Sequence, residues 1–333
     1  MGAKGRWIAA ACAAAAVMAA LWLRHGVLGP GGEEAGAEGT LISQLTFIGD
    51  EIYVLERPRY GLDLCRLYRG AGEDAELLLT APTYSARYSE KQGLFYFVDG
   101  NALQSYCPED GSVKQVCAWE GDTRYAVGIA ADNDVLLAGP AGSLADWRII
   151  SLADGSWRGF SLDGHSEIFD AEGDWILLFT EDGGLDRPDG AFYLLDCGTG
   201  ELDPVLRVPL GGEVMVTACL WDGALWYAAS DGALHCVSLD GGEELAETDI
   251  KGVAALTACD DFLAYAARAG HGGNSLAFYR LDRDGASTEL GVWEDAQYAV
   301  NGSCVLAASA DTVAAAVTTR KPELLLYSAE GTP

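Results

Sequence analysis

Residues 171–206 read AEGDWILLFTEDGGLDRPDGAFYLLDCGTGELDPVL, and this stretch decides the fold. It contains a tight turn at Gly173, an apolar segment, a loop, an alternating segment, and a second turn at Gly200 that leads into another segment. Gly and Asp favour such turns because glycine adopts positive φ at no steric cost. The segments between the turns are short and rich in aromatic and branched apolar residues, which predicts β-strands. The stretch therefore predicts one unit of antiparallel sheet.

The same unit recurs along the chain. Its first turn occurs at intervals of 44, 40, 40, 50, 37 and 42 residues, at Gly49, Gly93, Asn133, Gly173, Gly223, Asp260 and Gly302. Its second turn occurs at Gly111, Gly155, Gly200, Gly241, Gly285 and Gly331. Four strands per unit and a period near 40 to 45 residues are typical of the blades of a β-propeller. We expect an all-β, seven-bladed β-propeller of four-stranded antiparallel blades over residues 41–333.

Two segments of the chain resemble a known family of repeats. The pattern GDEIYVL…LCRLYRG of residues 49–70 and the segment LDCGTGELDPVL of residues 195–206 resemble bacterial extracytoplasmic propeller repeats of the pyrroloquinoline-quinone type and the low-density-lipoprotein-receptor type. The resemblance covers residues from about 40 to 333. It implies the propeller fold and an extracytoplasmic location, but it specifies no chemistry. The last unit ends soon after its third strand, so its fourth strand is absent, lost, or supplied by the N-terminal side.

The N-terminal segment predicts a membrane anchor. Lys4 and Arg6 precede residues 7–23, WIAAACAAAAVMAALWL, which carry no charge and approach the length of a spanning helix. We expect residues 1–23 to form a single transmembrane helix with a cytoplasmic N-terminus and the propeller outside. The alternative is a signal peptide that is cleaved to release a secreted protein. Residues 24–40, rich in Gly, Pro and Glu, predict a flexible linker that spans about 20 to 25 Å.

The charge of the chain excludes some partners. The sequence has 21 basic and 50 acidic residues, giving a net charge of −29. Nucleic acids and anionic lipid surfaces need Lys and Arg, so we expect no nucleic-acid partner and membrane contact only through the N-terminal helix. The sequence has nine Cys and four His but no Cys-x-x-Cys or His-x-x-x-His, and no Gly-x-Ser-x-Gly or Walker motif. We therefore expect no metal and no cofactor, and the sequence identifies no catalytic residue.

Two short patterns admit a second interpretation. Cys107 and Cys117 flank one hairpin and are the pair that the sequence brings closest for a disulfide. The segment from Ser151 to Trp157 partly matches the Asp-box of sialidase-like propellers, although the simpler interpretation is an Asp-Gly hairpin turn.

The loops that join the second and third strands vary most in length and content. Together with the connections between units they form one face of the ring, which we call the loop face. Variable loops on a fixed frame are where binding sites usually lie. The candidate ligand-binding residues of this face are Arg57, Arg59, Tyr60, Asp146, Trp147, Asp186, Arg187, Arg268 and His271. Their arginines suit an anionic ligand or an acidic peptide, although each Arg can instead pair with a neighbouring carboxylate.

The sequence as a whole favours a membrane-anchored, extracytoplasmic propeller that acts as a non-catalytic binding or assembly module for a protein or small-molecule partner. One alternative is a propeller-type glycan hydrolase or lyase that uses carboxylates such as Asp146 and Asp186 at the channel mouth. A third possibility is a sensory or structural ectodomain with no small ligand. Catalysis requires a carboxylate or His with a shifted pKa at that mouth, whereas a scaffold does not.

Overall fold

A computed structural model describes residues 40–58, 64–83, 85–120, 125–130, 135–140, 147–160, 165–181, 189–210, 216–229, 232–269, 275–294, 303–318 and 322–331. Within these ranges the chain forms seven antiparallel sheets in sequence order.

The strands of each sheet follow one another along the chain, and each pairs with the next. The first two sheets contain β1 (Thr40–Ile48), β2 (Glu51–Pro58), β3 (Cys65–Arg69) and β4 (Glu76–Ala81), then β5 (Ala86–Ser89), β6 (Leu94–Asp99), β7 (Ala102–Tyr106) and β8 (Val113–Ala118). A short 3₁₀ helix at Gly72–Asp74 precedes β4. The next two sheets contain β9 (Tyr125–Ala130), β10 (Val135–Pro140), β11 (Trp147–Ser151) and β12 (Trp157–Phe160), then β13 (His165–Glu172), β14 (Trp175–Glu181), β15 (Asp189–Asp196) and β16 (Leu202–Pro209). The fifth and sixth sheets contain β17 (Thr217–Trp221), β18 (Ala224–Ala228), β19 (Leu234–Ser238) and β20 (Glu244–Glu247), then β21 (Val253–Ala258), β22 (Leu263–Ala269), β23 (Ser275–Leu281) and β24 (Ser287–Glu294). The last sheet contains β25 (Ser303–Ala308), β26 (Thr312–Thr318) and β27 (Pro322–Ser328).

Tight turns join the first and second strands, as the sequence predicts. In the fourth sheet Glu172 pairs with Trp175 across a turn in which Gly173 has a φ of 55°. In the first sheet Gly49 occupies the same place with a φ of 58°. A residue with a Cβ is strained at positive φ, which explains why glycine marks these turns.

The sheets are arranged as a closed ring. The innermost strand of each sheet from β5 to β25 contacts the innermost strand of the next sheet, and β25 in turn contacts β1. The first and second sheets are joined where the Gln44 side-chain amide donates a hydrogen bond to the Ala86 carbonyl. The fold is therefore a β-propeller whose innermost strands surround a central axis.

Apolar side chains fill the spaces between neighbouring sheets. Between the fourth and fifth sheets, Phe192 is fully buried, and its ring centroid lies 4.8 Å from that of Phe179 and 5.5 Å from that of Tyr227. Each sheet is covered on both faces by its neighbours, which explains the nearly continuous apolar runs of the second strands, such as Ile176–Phe179.

The last sheet corrects the sequence prediction. Six sheets have four strands, whereas the seventh has three in the described part of the chain. The prediction of seven four-stranded blades is therefore wrong for the described residues, among which six blades are complete. The seventh sheet still closes the ring, since Ala314 and Ala316 pack against Ile42 and Val54 of the first sheet.

Cys107 and Cys117 are free thiols. The hairpin explains why they do not meet. Cys107 lies beside the turn, where its N–H bonds to the Ser112 carbonyl, whereas Cys117 pairs with Leu103. Four residues of strand separate Cys107 from Leu103, a distance of about 13 Å at the usual rise of a strand.

The anchor and most of the linker, residues 1–39, lie outside the described residues. In the part of the chain that the structure describes, no helix is long and apolar enough to cross a membrane. The described chain begins with β1 at Thr40, which pairs with Pro58 at the loop-face end of β2. The chain thus enters the ring on the loop face.

Candidate functional site on the loop face

The second strands of the sheets place two of the predicted site residues on the loop face. Arg57 lies one residue before the end of β2, and Arg268 lies one residue before the end of β22. Both side chains are exposed. Six others, namely Arg59, Tyr60, Asp146, Asp186, Arg187 and His271, lie outside the described residues.

The ring brings Arg57 and Arg268 to either side of the seventh sheet. Arg57 belongs to the first sheet and Arg268 to the sixth, and the inner strand β25 contacts β1 on one side and β21 on the other. Both arginines point from strands that end on the same face. A guanidinium stays charged and binds carboxylate or phosphate through paired N–H donors. On a chain of net charge −29, this places two cations near one part of the loop face.

Glu56 lies beside Arg57 in β2. Burial raises the pKa of Glu56, and the nearby Arg66 guanidinium lowers it. Arg66 pairs with Glu56 across β2 and β3, so this carboxylate has its own cation on the neighbouring strand. Arg57 is therefore not the only positive charge available to Glu56.

Trp147 does not lie on the loop surface. It is the first residue of β11 and only 2% exposed, and its ring centroid lies 6.2 Å from that of Phe160. It packs with Ile149 and Ile176 between the third and fourth sheets. The sequence placed this residue at the end of a loop, but β11 begins one residue earlier than that interpretation requires, and the indole contributes to the core.

The central axis carries a charged pair that the sequence analysis missed. Arg87 of β5 and Asp170 of β13 interact electrostatically, although their sheets are separated by the third sheet. Burial raises the pKa of Asp170 to about 6, while the N–H groups of Leu220 and Ala171 and the Arg87 guanidinium lower it. Burial also lowers the pKa of Arg87.

Both oxygens of Asp170 accept main-chain hydrogen bonds. The Leu220 N–H donates to Oδ2 at 2.8 Å, and the Ala171 N–H donates to Oδ1 at 2.9 Å. Leu220 lies on β17, so the carboxylate joins the inner strands of the fourth and fifth sheets. A similar tie joins the fifth and sixth sheets, where Thr217 Oγ1 accepts the Leu256 N–H at 3.0 Å. The geometry of Asp170 is that of a link between sheets.

A cleft of about 470 Å³ lies near the opposite face, between the third and fourth sheets. Trp157, Arg158, Ser151 and Cys197 are among its lining residues. The Arg158 guanidinium donates hydrogen bonds to the carbonyls of Thr199, Gly198 and Cys197 at 2.8, 3.2 and 3.3 Å. Its donors are thus directed to the main chain of the neighbouring turn rather than into open space.

The segment from Ser151 to Trp157 forms a hairpin turn. Asp154 Oδ1 accepts hydrogen bonds from the N–H and the hydroxyl of Ser156 at 2.9 and 2.7 Å. These bonds lower the pKa of Asp154. Asp110 accepts the Ser112 N–H in the same way at 2.9 Å. The Asp-Gly turn interpretation of this segment agrees with the geometry.

Three solved structures are similar to this chain. BamB from Moraxella catarrhalis is 10% identical and aligns over 87% of this chain and 98% of its own, with a TM-score of 0.45. An oligogalacturonate lyase in complex with manganese is 11% identical over 70% of this chain and 73% of its own, with a TM-score of 0.50. Dipeptidyl peptidase 4 from Porphyromonas gingivalis is 14% identical over 84% of this chain and 52% of its own, with a TM-score of 0.48.

These similarities concern the fold alone, because the identities are 10 to 14%. No protein-family profile matches the chain, and no curated protein matches its sequence. Among the described residues, no group of three or more His, Cys, Asp and Glu side chains is placed to hold a metal ion.

The sequence gives a weak signal for the interaction between Arg87 and Asp170. Asp170 is a charged residue inside a short first strand, three positions before the turn at Gly173. Its partners Leu220 and Arg87 lie 50 and 83 residues away and come from other sheets. No local spacing relates residues that meet only when the ring closes.

Proposed function

We propose that the chain is an extracytoplasmic, membrane-anchored propeller that binds a partner without catalysing a reaction on it. In this proposal the N-terminal helix holds the protein at the membrane, and the loop face engages an anionic or acidic partner. The partner is a protein or a small molecule that presents carboxylate or phosphate groups.

One observation carries this proposal. Two exposed arginines, Arg57 and Arg268, end the second strands on both sides of the seventh sheet, on the face where the described chain begins. An acidic chain otherwise repels an acidic partner, so exposed guanidinium groups on this part of the ring favour binding there. Both arginines lie in strands that are paired within their sheets, which reduces the ordering cost of binding.

The alternative is a glycan hydrolase or lyase with carboxylates at the channel mouth. Its candidate residues Asp146 and Asp186 lie outside the described residues. Within the described ranges, Asp170 is the carboxylate whose pKa is most clearly raised, and it accepts two main-chain hydrogen bonds. This engagement supports a structural role for Asp170, and so it gives the enzyme proposal no general acid or base.

The test is a crosslinked affinity purification of the full-length protein from its native membrane. Wild type is compared with the double variant Arg57→Ala/Arg268→Ala and with the control Arg283→Ala. Arg283 is 59% exposed but lies in a turn on the opposite face. We expect the control to retain the partner and the double variant to lose it.

Equal recovery of the same proteins by all three forms contradicts a site at these arginines. A parallel assay for cleavage of acidic oligosaccharides by the purified protein separates the two functions. Turnover by the wild-type protein contradicts the non-catalytic proposal and supports the enzyme.

A further inference from the structure

The cleft between the third and fourth sheets has no role in the function proposed above. It lies near the face formed by the tight turns, opposite the loop face, which we call the turn face. Its two walls are the turn of residues 151–156 in the third sheet and the turn of residues 196–201 in the fourth. Its volume of about 470 Å³ is within the range of sites that hold small molecules.

The buried part of the cleft lining is apolar. Ile149 and Cys197 are 6% and 2% exposed, and both pack with Ile176 and Leu195 in the core between the two sheets. Burial raises the pKa of the Cys197 thiol to about 12, so this thiol is uncharged at neutral pH. The interior of the cleft therefore suits an aliphatic group, since an unpaired charge is costly to bury there.

The wall from the third sheet carries the Asp154 carboxylate. Its Oδ1 accepts the N–H and the hydroxyl of Ser156, and the Ser151 side chain also hydrogen-bonds to the carboxylate. Both serines line the cleft, so residues of the lining border this carboxylate on two sides. The same hydrogen bonds lower the pKa of Asp154, which is exposed. They therefore fix a negative charge at the rim of this wall.

The wall from the fourth sheet carries a second carboxylate, that of Asp196. Its Oδ1 accepts the Gly198 N–H at 2.7 Å and the Thr199 N–H at 3.0 Å. The hydrogen bonds from Thr199 and Gly198 lower the pKa of Asp196. Asp196 directly precedes Cys197 and bonds to Gly198, and both of these residues line the cleft. The cleft thus has one fixed carboxylate on each wall.

The basic groups near the cleft do not outweigh these carboxylates. Arg158 lines the cleft, but it donates to three main-chain carbonyls of the neighbouring turn and interacts electrostatically with Asp196. Arg148 lies on the other side of the third sheet, with its guanidinium 4.9 Å from the ring centroid of Trp119 in the second sheet. Lys114 belongs to the second sheet as well. The turns that form the fourth-sheet wall add two more exposed carboxylates, Asp174 and Glu201.

We propose that this cleft binds an organic cation, with an alkylammonium or alkylguanidinium head at the rim formed by Asp154 and Asp196 and an aliphatic stem over Ile149 and Cys197. Charge-assisted hydrogen bonds to the carboxylates orient the head, and burial of the stem adds hydrophobic stabilisation. A small amine and the Lys side chain of a partner protein share this chemistry, and the experiment separates the two sources. The site is on the turn face and does not depend on the arginines of the loop face.

The test is a calorimetric titration of the full-length protein, in a nonionic detergent at neutral pH, with pentylamine, with its neutral analogue 1-pentanol, and with Nα-acetyl-lysine amide. The cleft variant is Asp154→Asn/Asp196→Asn, and the matched control is Asp110→Asn/Asp284→Asn. Asp110 and Asp284 accept main-chain N–H groups in the equivalent turns of the second and sixth sheets, at 2.9 and 3.0 Å. Both double variants remove two negative charges, and asparagine keeps the Oδ1 acceptor that each turn uses.

We expect saturable binding of an amine probe by wild type and by the control variant, with affinities within twofold of each other. The cleft variant binds it at least tenfold more weakly, and 1-pentanol binds to wild type at least tenfold more weakly than the amine. Tighter binding of pentylamine assigns the site to a small molecule, and tighter binding of the lysine derivative assigns it to a partner side chain. Three results overturn the proposal: wild type binds neither amine, the two double variants lose affinity equally, or 1-pentanol binds as tightly as pentylamine.

Discussion

The fourth and seventh sheets differ at their outer edge and agree at their inner one. In the fourth sheet β15 is paired on both sides, and Phe192 and Leu194 are 0% and 5% exposed. In the seventh sheet β26 is just as buried, with Ala314 and Ala316 at 0%, yet Leu326 of β27 is 53% exposed. In the part of the chain that the structure describes, the ring of inner strands therefore closes without a seventh outer strand. The fourth strand of a blade buries its outer half and contributes little to closure.

The largest loss of unfolding free energy is expected for a substitution in the core beside the fourth sheet. Phe192→Ala removes a fully buried ring from its contacts with Phe179 and Tyr227, which costs about 3–5 kcal/mol of unfolding free energy. Leu326→Ala in the seventh sheet is expected to cost less than about 0.5 kcal/mol, because the side chain is already half exposed. Urea unfolding of both variants measures the difference, and similar losses would contradict an open edge.

The next largest effect on stability concerns Asp170, whose carboxylate accepts the Leu220 N–H and so links the fourth and fifth sheets. Asp170 has a pKa of about 6 in the folded protein against 3.8 ordinarily, so the folded state binds the extra proton between these values. The associated stability is present below about pH 4 and is lost as pH rises through 6, a change of up to about 3 kcal/mol.

Asp170→Asn removes this titration. We expect the unfolding free energy of wild type to fall relative to the variant between pH 4 and pH 7, as measured by urea unfolding at each pH. A constant difference across this range would show that Asp170 does not titrate there.

Replacing Gly190 or Gly291 by alanine is expected to lower the free energy of unfolding by a smaller amount. A Cβ at Gly190 in the fourth sheet would lie 2.0 Å from the ring of Phe179, which is 3% exposed and tightly packed. A Cβ at Gly291 in the sixth sheet would lie 2.5 Å from the ring of Tyr327, which is only half-buried on the open seventh sheet. We expect Gly190→Ala to cost about 1–3 kcal/mol, and Gly291→Ala to cost less because Tyr327 can shift outward. Thermal unfolding of the two variants checks this order, and the reverse order would mean that the seventh sheet is as rigid as the fourth.

The smallest effect on stability is expected when one exposed leucine of the fifth sheet and one of the seventh sheet are each replaced by lysine. Leu326→Lys and Leu245→Lys each replace an exposed leucine, so each changes the unfolding free energy by no more than about 0.5 kcal/mol. Urea unfolding of both variants measures these changes. A large loss in Leu326→Lys alone would place Leu326 in a packed environment and contradict the open edge.

The repeating turns made most of the fold predictable from the sequence. Gly49, Gly93, Gly173 and Gly223 have positive φ in the turns where the sequence placed them, because these conformations favour glycine strongly. The sequence shows that the last unit ends soon after its third strand, and it left open whether a fourth strand is absent, lost or supplied by the N-terminal side. A period predicts units that repeat, but it does not determine whether the last unit is complete.

The candidate site was less predictable. Arg57 and Arg268 were found because loops of variable length begin beside them, and the strands place both on the loop face. Trp147 was assigned to the loop although it begins a buried strand, because a strand boundary is difficult to fix to one residue from sequence. Asp170 and Arg87 were missed because they interact across the ring, and no sequence spacing records that distance.

Amide hydrogen exchange of the free, full-length protein tests the open edge most directly. We predict that the amides of β15, which is paired on both sides, are protected throughout the strand. In β27 we predict protection only of the amides that bond to β26, while the alternating outward amides exchange as fast as those of exposed loops. Uniform protection along β27, equal to that of β15, would mean that the seventh sheet is already completed by the chain itself and would contradict the account.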